Sequence, residues 1–216
     1  MSTGRGAESI RSLLSAPYHA LDLLTAALDV GISVKSSDDA GTTGSGGPRT
    51  IAQYNFGLQQ TAFAQHPGAE EIRTYPCNGT TGTAFELKNE SPNPIPGRDL
   101  AANPIGQPII IAVRPGQLVE ITSATMVKKS DLTAIALRPT MTCANDPNSH
   151  LDPSRAIILP DVPPEPNTEY TVSIAGTNTA IADFNNGHPV SSGTNPAITS
   201  NATGAFMKTF TFKMGS

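Results

Sequence analysis

The sequence predicts an α+β chain, with a short helical N-terminal part followed by a longer β-rich part. Three observations predict it. Ile10, Leu13, Leu14, Leu21, Leu24 and Leu28 recur at helical steps, an apolar stripe on one helix face. Beyond residue 29 the apolar positions alternate instead, the period of a strand with one buried face. Gly and Pro contribute 19 residues each to a chain of 216, which is turn chemistry repeated many times.

Taken in order, the stretch 8–28 is split by Pro17, which cannot donate to the carbonyl four residues back. Two helices are expected, with Ser15 or Ala16 capping the second and Pro17 in its first turn. Val30, Ile32 and Val34 then predict a strand, 36–49 a Ser/Gly/Thr loop, and Ala52, Tyr54 and Phe56 a second strand ending at Gly57. Residues 58–70 read as a linker. Ile109, Ile111 and Val113 alternate, Pro115-Gly116 signals a type II turn, and Val119 and Ile121 continue on the return strand. Further strands are expected over 132–138, 156–159, 169–175 with Tyr170, Val172 and Ile174 inward, and 206–213 with Phe206, Phe210 and Phe212. Loops 86–107 and 177–204 are long. Short strands between Pro-, Gly- and Asn-rich loops predict a small sandwich from residue 71 onward.

Composition narrows the function classes. Charged residues are 15%, net charge is −4, and Lys128-Lys129 is the densest basic pair, which argues against a nucleic-acid partner or a polybasic membrane patch. No run of eighteen apolar residues occurs, so no membrane span is expected. The N-terminus lacks the apolar core of a signal peptide. Cys77 and Cys143 stand 66 positions apart, which excludes CxxC zinc or redox motifs. They are a possible disulfide, whose loop would stabilise by roughly 4 kcal/mol in the chain-entropy model. Two unpaired thiols are the other reading.

No catalytic or cofactor-binding set emerges from the remaining motifs. Gly44-Ser45-Gly46 lacks the strand and helix signals of a nucleophile elbow, and Gly41–Gly47 lacks the ending of a phosphate loop. Residues 145–152 gather oxygen ligands but have no Gly at the tight turn and no closing Glu, so turn chemistry explains them better than calcium. Glu86, Glu90 and Asp99 fall in the Pro-rich loop with nothing to orient a carboxylate pair. His66, His150 and His188 read as solvated loop residues, and Tyr18 as an ordinary core tyrosine.

Two groups of residues carry a family resemblance. Ser9-Ile-Arg-Ser-Leu-Leu-Ser-Ala-Pro-Tyr-His19, running on to Leu28-Asp-Val-Gly-Ile-Ser33, resembles the last third of a bacterial CAP domain (cysteine-rich secretory protein, antigen 5 and pathogenesis-related superfamily). Tyr75-Pro76 with Asn78-Gly79, Asn89-Glu-Ser-Pro-Asn-Pro-Ile-Pro-Gly97, Gly106-Gln-Pro-Ile109 and Pro166-Asn-Thr-Glu-Tyr-Thr-Val-Ser-Ile174 resemble the β-rich extension that follows such domains. The resemblance implies the C-terminal portion of a CAP αβα sandwich over 1–68 and an immunoglobulin-like sandwich over 71–216. It implies a longer precursor, an extracellular or periplasmic location, and an unknown extracellular ligand or cell-surface partner.

In that family a His equivalent to His19 faces a cavity beside a second His and two Glu, which would hold a divalent cation in a full-length form. Glu8 is the only acidic residue before His19 here, so a structural role at the helix start is favoured over a metal-ligand role. A binding or interaction protein is therefore expected ahead of the alternative, a cation-dependent hydrolase. The β part is expected to fold alone and the N-terminal part to be marginal.

Overall fold

The structure is a computed structural model describing residues 7–24, 29–37, 49–57, 66–181, 184–185, 188–189 and 204–216. Side chains are described over 10–24, 66–181 and 204–216. The chain is mostly β. Helices α1 (Ala7–Ser15) and α2 (Pro17–Leu23) meet at Ala16, and Pro17 occupies the first helical position, where its missing N–H is harmless. Leu28, the expected end of the second helix, lies outside the described residues. β1 (Asp29–Ser37) and β2 (Arg49–Gly57) pair antiparallel in register from Asp29 opposite Gly57 to Ser37 opposite Arg49. The Gly41–Gly47 loop with Ser45, residues 58–65 of the expected linker, and most of the 177–204 loop also lie outside.

The following strands are β3 (Arg73–Tyr75), β4 (Thr80–Thr83), β5 (Glu86–Leu87), β6 (Ile105–Gly106), β7 (Ile109–Ala112) and β8 (Gln117–Lys128). Then come β9 (Met141–Thr142), β10 (Arg155–Ile158), β11 (Glu169–Ala180), β12 (Phe184–Asn185), β13 (His188–Pro189) and β14 (Gly204–Met214). Two four-stranded sheets dominate. One has the order β3-β7-β10-β9, the other β4-β14-β11-β8, in which β14 and β4 run parallel. The inward residues of both sheets share one core: Ile109, Ile111, Val113 and Ile158 face Val119, Met126, Tyr170, Val172, Ile174, Phe210 and Phe212. The alternation expected over 169–175 holds from Glu169 to Asn178 along β11.

A second core lies on the other face of the first sheet. There Ala16, Tyr18, Ala20 and Leu21 pack with Leu87, Ile95, Leu100, Ile105, Ile110, Ile157 and Leu159. The sheet β3-β7-β10-β9 is thus apolar on both faces, the condition under which strands read as continuous hydrophobic runs rather than alternations. Ile109-Ile110-Ile111 and Ala156-Ile157-Ile158-Leu159 are such runs, buried throughout.

Three expectations are corrected. Val119 does not return beside Val113: β7 belongs to the first sheet and β8 to the second, so the turn at Gly116 (φ 86) carries the chain across the sandwich. Residues 132–138 form no strand. Leu132 enters the left-handed region at φ 62, and only isolated bridges, Val127 to Ala134 and Leu137 to Pro160, follow. The 86–107 loop is not wholly irregular, because β5 and β6 pair antiparallel inside it.

Candidate functional site

Helix α2 has seven residues, too few to persist without tertiary support. Its N-cap, Ala16, has no side-chain acceptor, and Pro17 has no N–H, so Tyr18 carries the first free amide of the helix. Ser15 does not cap it; its hydroxyl donates to Ser12 O at 2.7 Å. The cap comes from 72 residues away. Glu90 Oε2 accepts the Tyr18 N–H at 3.2 Å, placing a carboxylate where the helix dipole favours negative charge.

The other oxygen of Glu90 accepts the Ser91 N–H at 2.9 Å and meets His19 Nδ1 at 2.7 Å. The Glu90 side chain is fully buried, while His19 is 41% exposed. Glu90 is held by the turn that follows it. Asn93 Oδ1 accepts the Ile95 N–H at 2.9 Å, and Asn93 Nδ2 donates to Arg98 O at 2.7 Å. Side chain and backbone thus brace each other through the Asn89–Gly97 segment.

Tyr18 makes a second anchor. Its hydroxyl donates to Asp146 Oδ1 at 2.5 Å and accepts from Asn148 Nδ2 at 2.9 Å. Asn148 Nδ2 also donates to Asn93 O at 2.9 Å, joining the two loops. Asp146 is buried and accepts backbone N–H groups from Asn148, His150 and Leu151 as well. Burial pushes the Asp146 carboxyl up, but the Tyr18 hydroxyl and these three amides together outweigh it and hold it below the usual range. Burial chiefly, with Asp146 and Glu90 adding, pushes the Tyr18 phenol well above its ordinary value, against the Asn148 donor. The His150 ring lies 4.8 Å from the Tyr18 ring, centroid to centroid.

Chemically, a half-exposed imidazole whose Nδ1 faces a buried carboxylate is the base-and-orienter half of a nucleophilic site. No hydroxyl or thiol bonds to His19 among the described residues, and no three His, Cys, Asp or Glu side chains there group as a metal would need. What the cluster does is join α2 to the β part. A buried carboxylate stripped of its partners would cost about 3–5 kcal/mol, so each bond is needed once the charge is inside.

The other residues singled out in the sequence are dispersed. Cys77 and Cys143 are free thiols, not a disulfide, and Cys77 donates to Thr74 O at 3.1 Å. The geometry explains it: they follow β3 and β9, opposite edges of one sheet, and three strand spacings separate these by roughly 14 Å, twice what a disulfide spans. Burial first, then Asp152, pushes the Cys143 thiol up. Glu86 pairs with Lys88 at 2.6 Å, and Asp99 accepts the Ala101 and Ala102 amides. His150 is exposed, His66 is half-buried, and the side chain of His188 lies outside the described residues, as does that of Glu8.

Glu90, Asp146 and Asn148 are the residues sequence reasoning missed. Glu90 stood in a motif already notable for its prolines, and Asp146 preceded a proline, both turn signals that hid their role as long-range acceptors. No protein-family model matches the chain. No curated protein matches it. Among the described residues no helix is long and apolar enough to cross a membrane.

Proposed function

We propose that this chain is an extracellular binding or interaction protein of the CAP type, its immunoglobulin-like β part carrying docked helices of the CAP kind. One observation supports this reading above others: the two stretches that carry the resemblance, Ser15–His19 and Asn89–Gly97, hydrogen-bond to each other through Glu90. His19, the residue the resemblance would give to a cation cavity, has its Nδ1 committed to that joint. The unknown ligand is then met by surfaces other than the His19 cluster.

The alternative, a cation-dependent hydrolase, draws on the same His19–Glu90 pair read as a base and its orienter. One experiment separates them. Ester hydrolysis and melting temperature are measured for the wild type and His19→Ala, with and without added Mg2+, Ca2+ or Zn2+. The binding reading expects no cation-dependent turnover and a lowered Tm in the variant. Cation-dependent turnover lost in His19→Ala at unchanged Tm would establish the hydrolase instead. Fractionation of the source cells tests the location, and recovery from the cytoplasm alone would overturn it.

A further inference from the structure

The face of the first sheet that holds the second core ends in a row of a different kind. Arg73 of β3 and Arg155 of β10 both lie opposite Ala112 of β7, so the two arginines flank one small residue on one face. Two strand spacings separate their backbones, about 10 Å, with only a methyl group between them. The pairing continues past the end of β7, since Val113 N donates to Ser154 O at 2.9 Å. Arg114 stands two residues beyond Ala112, just past the end of β7, where its N–H donates to Gln117 Oε1 at 3.2 Å.

The three guanidinium groups are unequally committed. Arg73 is bidentate to Glu71, at 2.8 and 3.2 Å, and Lys208 donates to the neighbouring Ile72 carbonyl. Arg155 reaches Asp152 at 3.3 Å and donates to Leu21 O at the end of α2 at 3.1 Å. Arg114 is half-buried, and its side chain makes no hydrogen bond or ion pair among the described residues. Asp22 and Glu70, on adjoining segments, make no ion pair with any of the three among those residues. Among the described residues, two carboxylates, Glu71 and Asp152, bond to this set of three guanidinium groups and one ammonium.

We propose that Arg73, Arg114 and Arg155 frame a binding site for a tetrahedral oxyanion, a phosphate or sulfate group, over the Ala112 floor. A planar fork of N–H donors suits such an oxyanion, and the partial burial of Arg114 and Arg155 strengthens the charge-assisted bonds they make, while Arg73 stands exposed at the edge. His66 reports the field at this spot. Burial, then Arg114, Arg155 and Arg73 in that order, hold its imidazole below its ordinary value. The arginine row rests on strand register and is independent of the family resemblance.

The test uses the full chain, titrated with inorganic phosphate and with sodium sulfate at constant ionic strength and followed by amide and arginine side-chain NMR. Saturable shifts are expected at Ala112, Arg114 and Arg155, with the His66 imidazole pKa rising as the anion fills the site. Arg114→Gln breaks no bond of the fold and should weaken binding roughly tenfold or more, while Lys129→Gln leaves it unchanged. A soluble polyphosphate tells the source of the group: tighter binding at the same residues indicates a polymer-borne phosphoryl group, equal binding a free ion. Shifts that match those from sodium chloride, or that persist unchanged in Arg114→Gln, would overturn the site.

Discussion

At the scale of single residues, Glu90 and Tyr18 carry more of the joint than His19 does. Glu90 is fully buried and serves three donors, whereas His19 keeps much of its ring in water, where an ion pair is worth little. Glu90→Ala leaves the Tyr18 and Ser91 amides without their acceptor and should destabilise by about 2–4 kcal/mol, and His19→Ala by about 1 kcal/mol or less, read from urea unfolding. Equal losses would contradict the assignment. The cluster also sets a pH dependence at both ends. Asp146 has a folded pKa below its unfolded 3.8, so its contribution is present above that value and is lost as pH falls through the folded pKa. Tyr18 is shifted the other way, and burial pushes Tyr75 up to about 12, so both contribute fully below pH 10.0 and lose that contribution as pH rises beyond it. Tyr18→Phe should flatten the fall in stability at both extremes, because it removes one titrating phenol and one donor to Asp146. Unfolding free energies measured from pH 3 to 5 and from pH 9 to 11 check this; an unchanged acid limb would deny the Tyr18–Asp146 bond.

At the scale of elements, the long strands were legible because one face of each meets water. Tyr170, Val172 and Ile174 alternate with Thr171 and Ser173, and no other arrangement hides the first set while wetting the second. The first sheet was harder. Ile109, Ile111 and Val113 do alternate, but Ile110 between them is buried too, on the helix side. Reading Ile109-Ile110-Ile111 as a continuous run would have announced a sheet covered on both faces. The joint itself could not be read, because Glu90 and Asp146 are distant from α2 in sequence and turn-like in local context. One element does store a sharp constraint. Between Ala175 and Gly176 the pairing of β11 with β8 shifts, leaving Thr122 as the extra residue of a bulge. A Cβ at Gly176 would run into the backbone carbonyl of Glu120 and crowd Phe206. Gly176→Ala should cost about 1–3 kcal/mol by forcing the two strands apart. Gly79→Ala faces no such neighbour, since a Cβ there has nothing within 4 Å, and only its φ of 79 opposes the change. Melting the two variants side by side checks the contrast, which requires the larger loss at Gly176.

At the scale of the whole molecule, one sheet serves two cores, and this bears on whether the β part stands alone. Removing residues 1–65, and α1 and α2 with them, would leave Leu87, Ile105, Ile110, Ile157 and Leu159 with an uncovered face, all of them now nearly or fully buried. The gain from covering such residues is about 25 cal/mol per Å2 of apolar surface, so several side chains together amount to several kcal/mol. The same truncation strips Glu90 of the Tyr18 and His19 partners and Asp146 of its phenol, although water can then reach both carboxylates. A 66–216 fragment should accordingly fold, since the core between the two sheets is untouched, yet unfold at a lower urea concentration than the full chain. It should also bind an apolar fluorescent dye on the bared face, and a synthetic 7–24 peptide added in excess should suppress that binding. Tyr18→Ala in the peptide should abolish the suppression, because the phenol reaches Asp146 and Asn148 at the centre of the contact. A fragment as stable as the full chain, and blind to the peptide, would mean that the helices rest on the sheet without holding it.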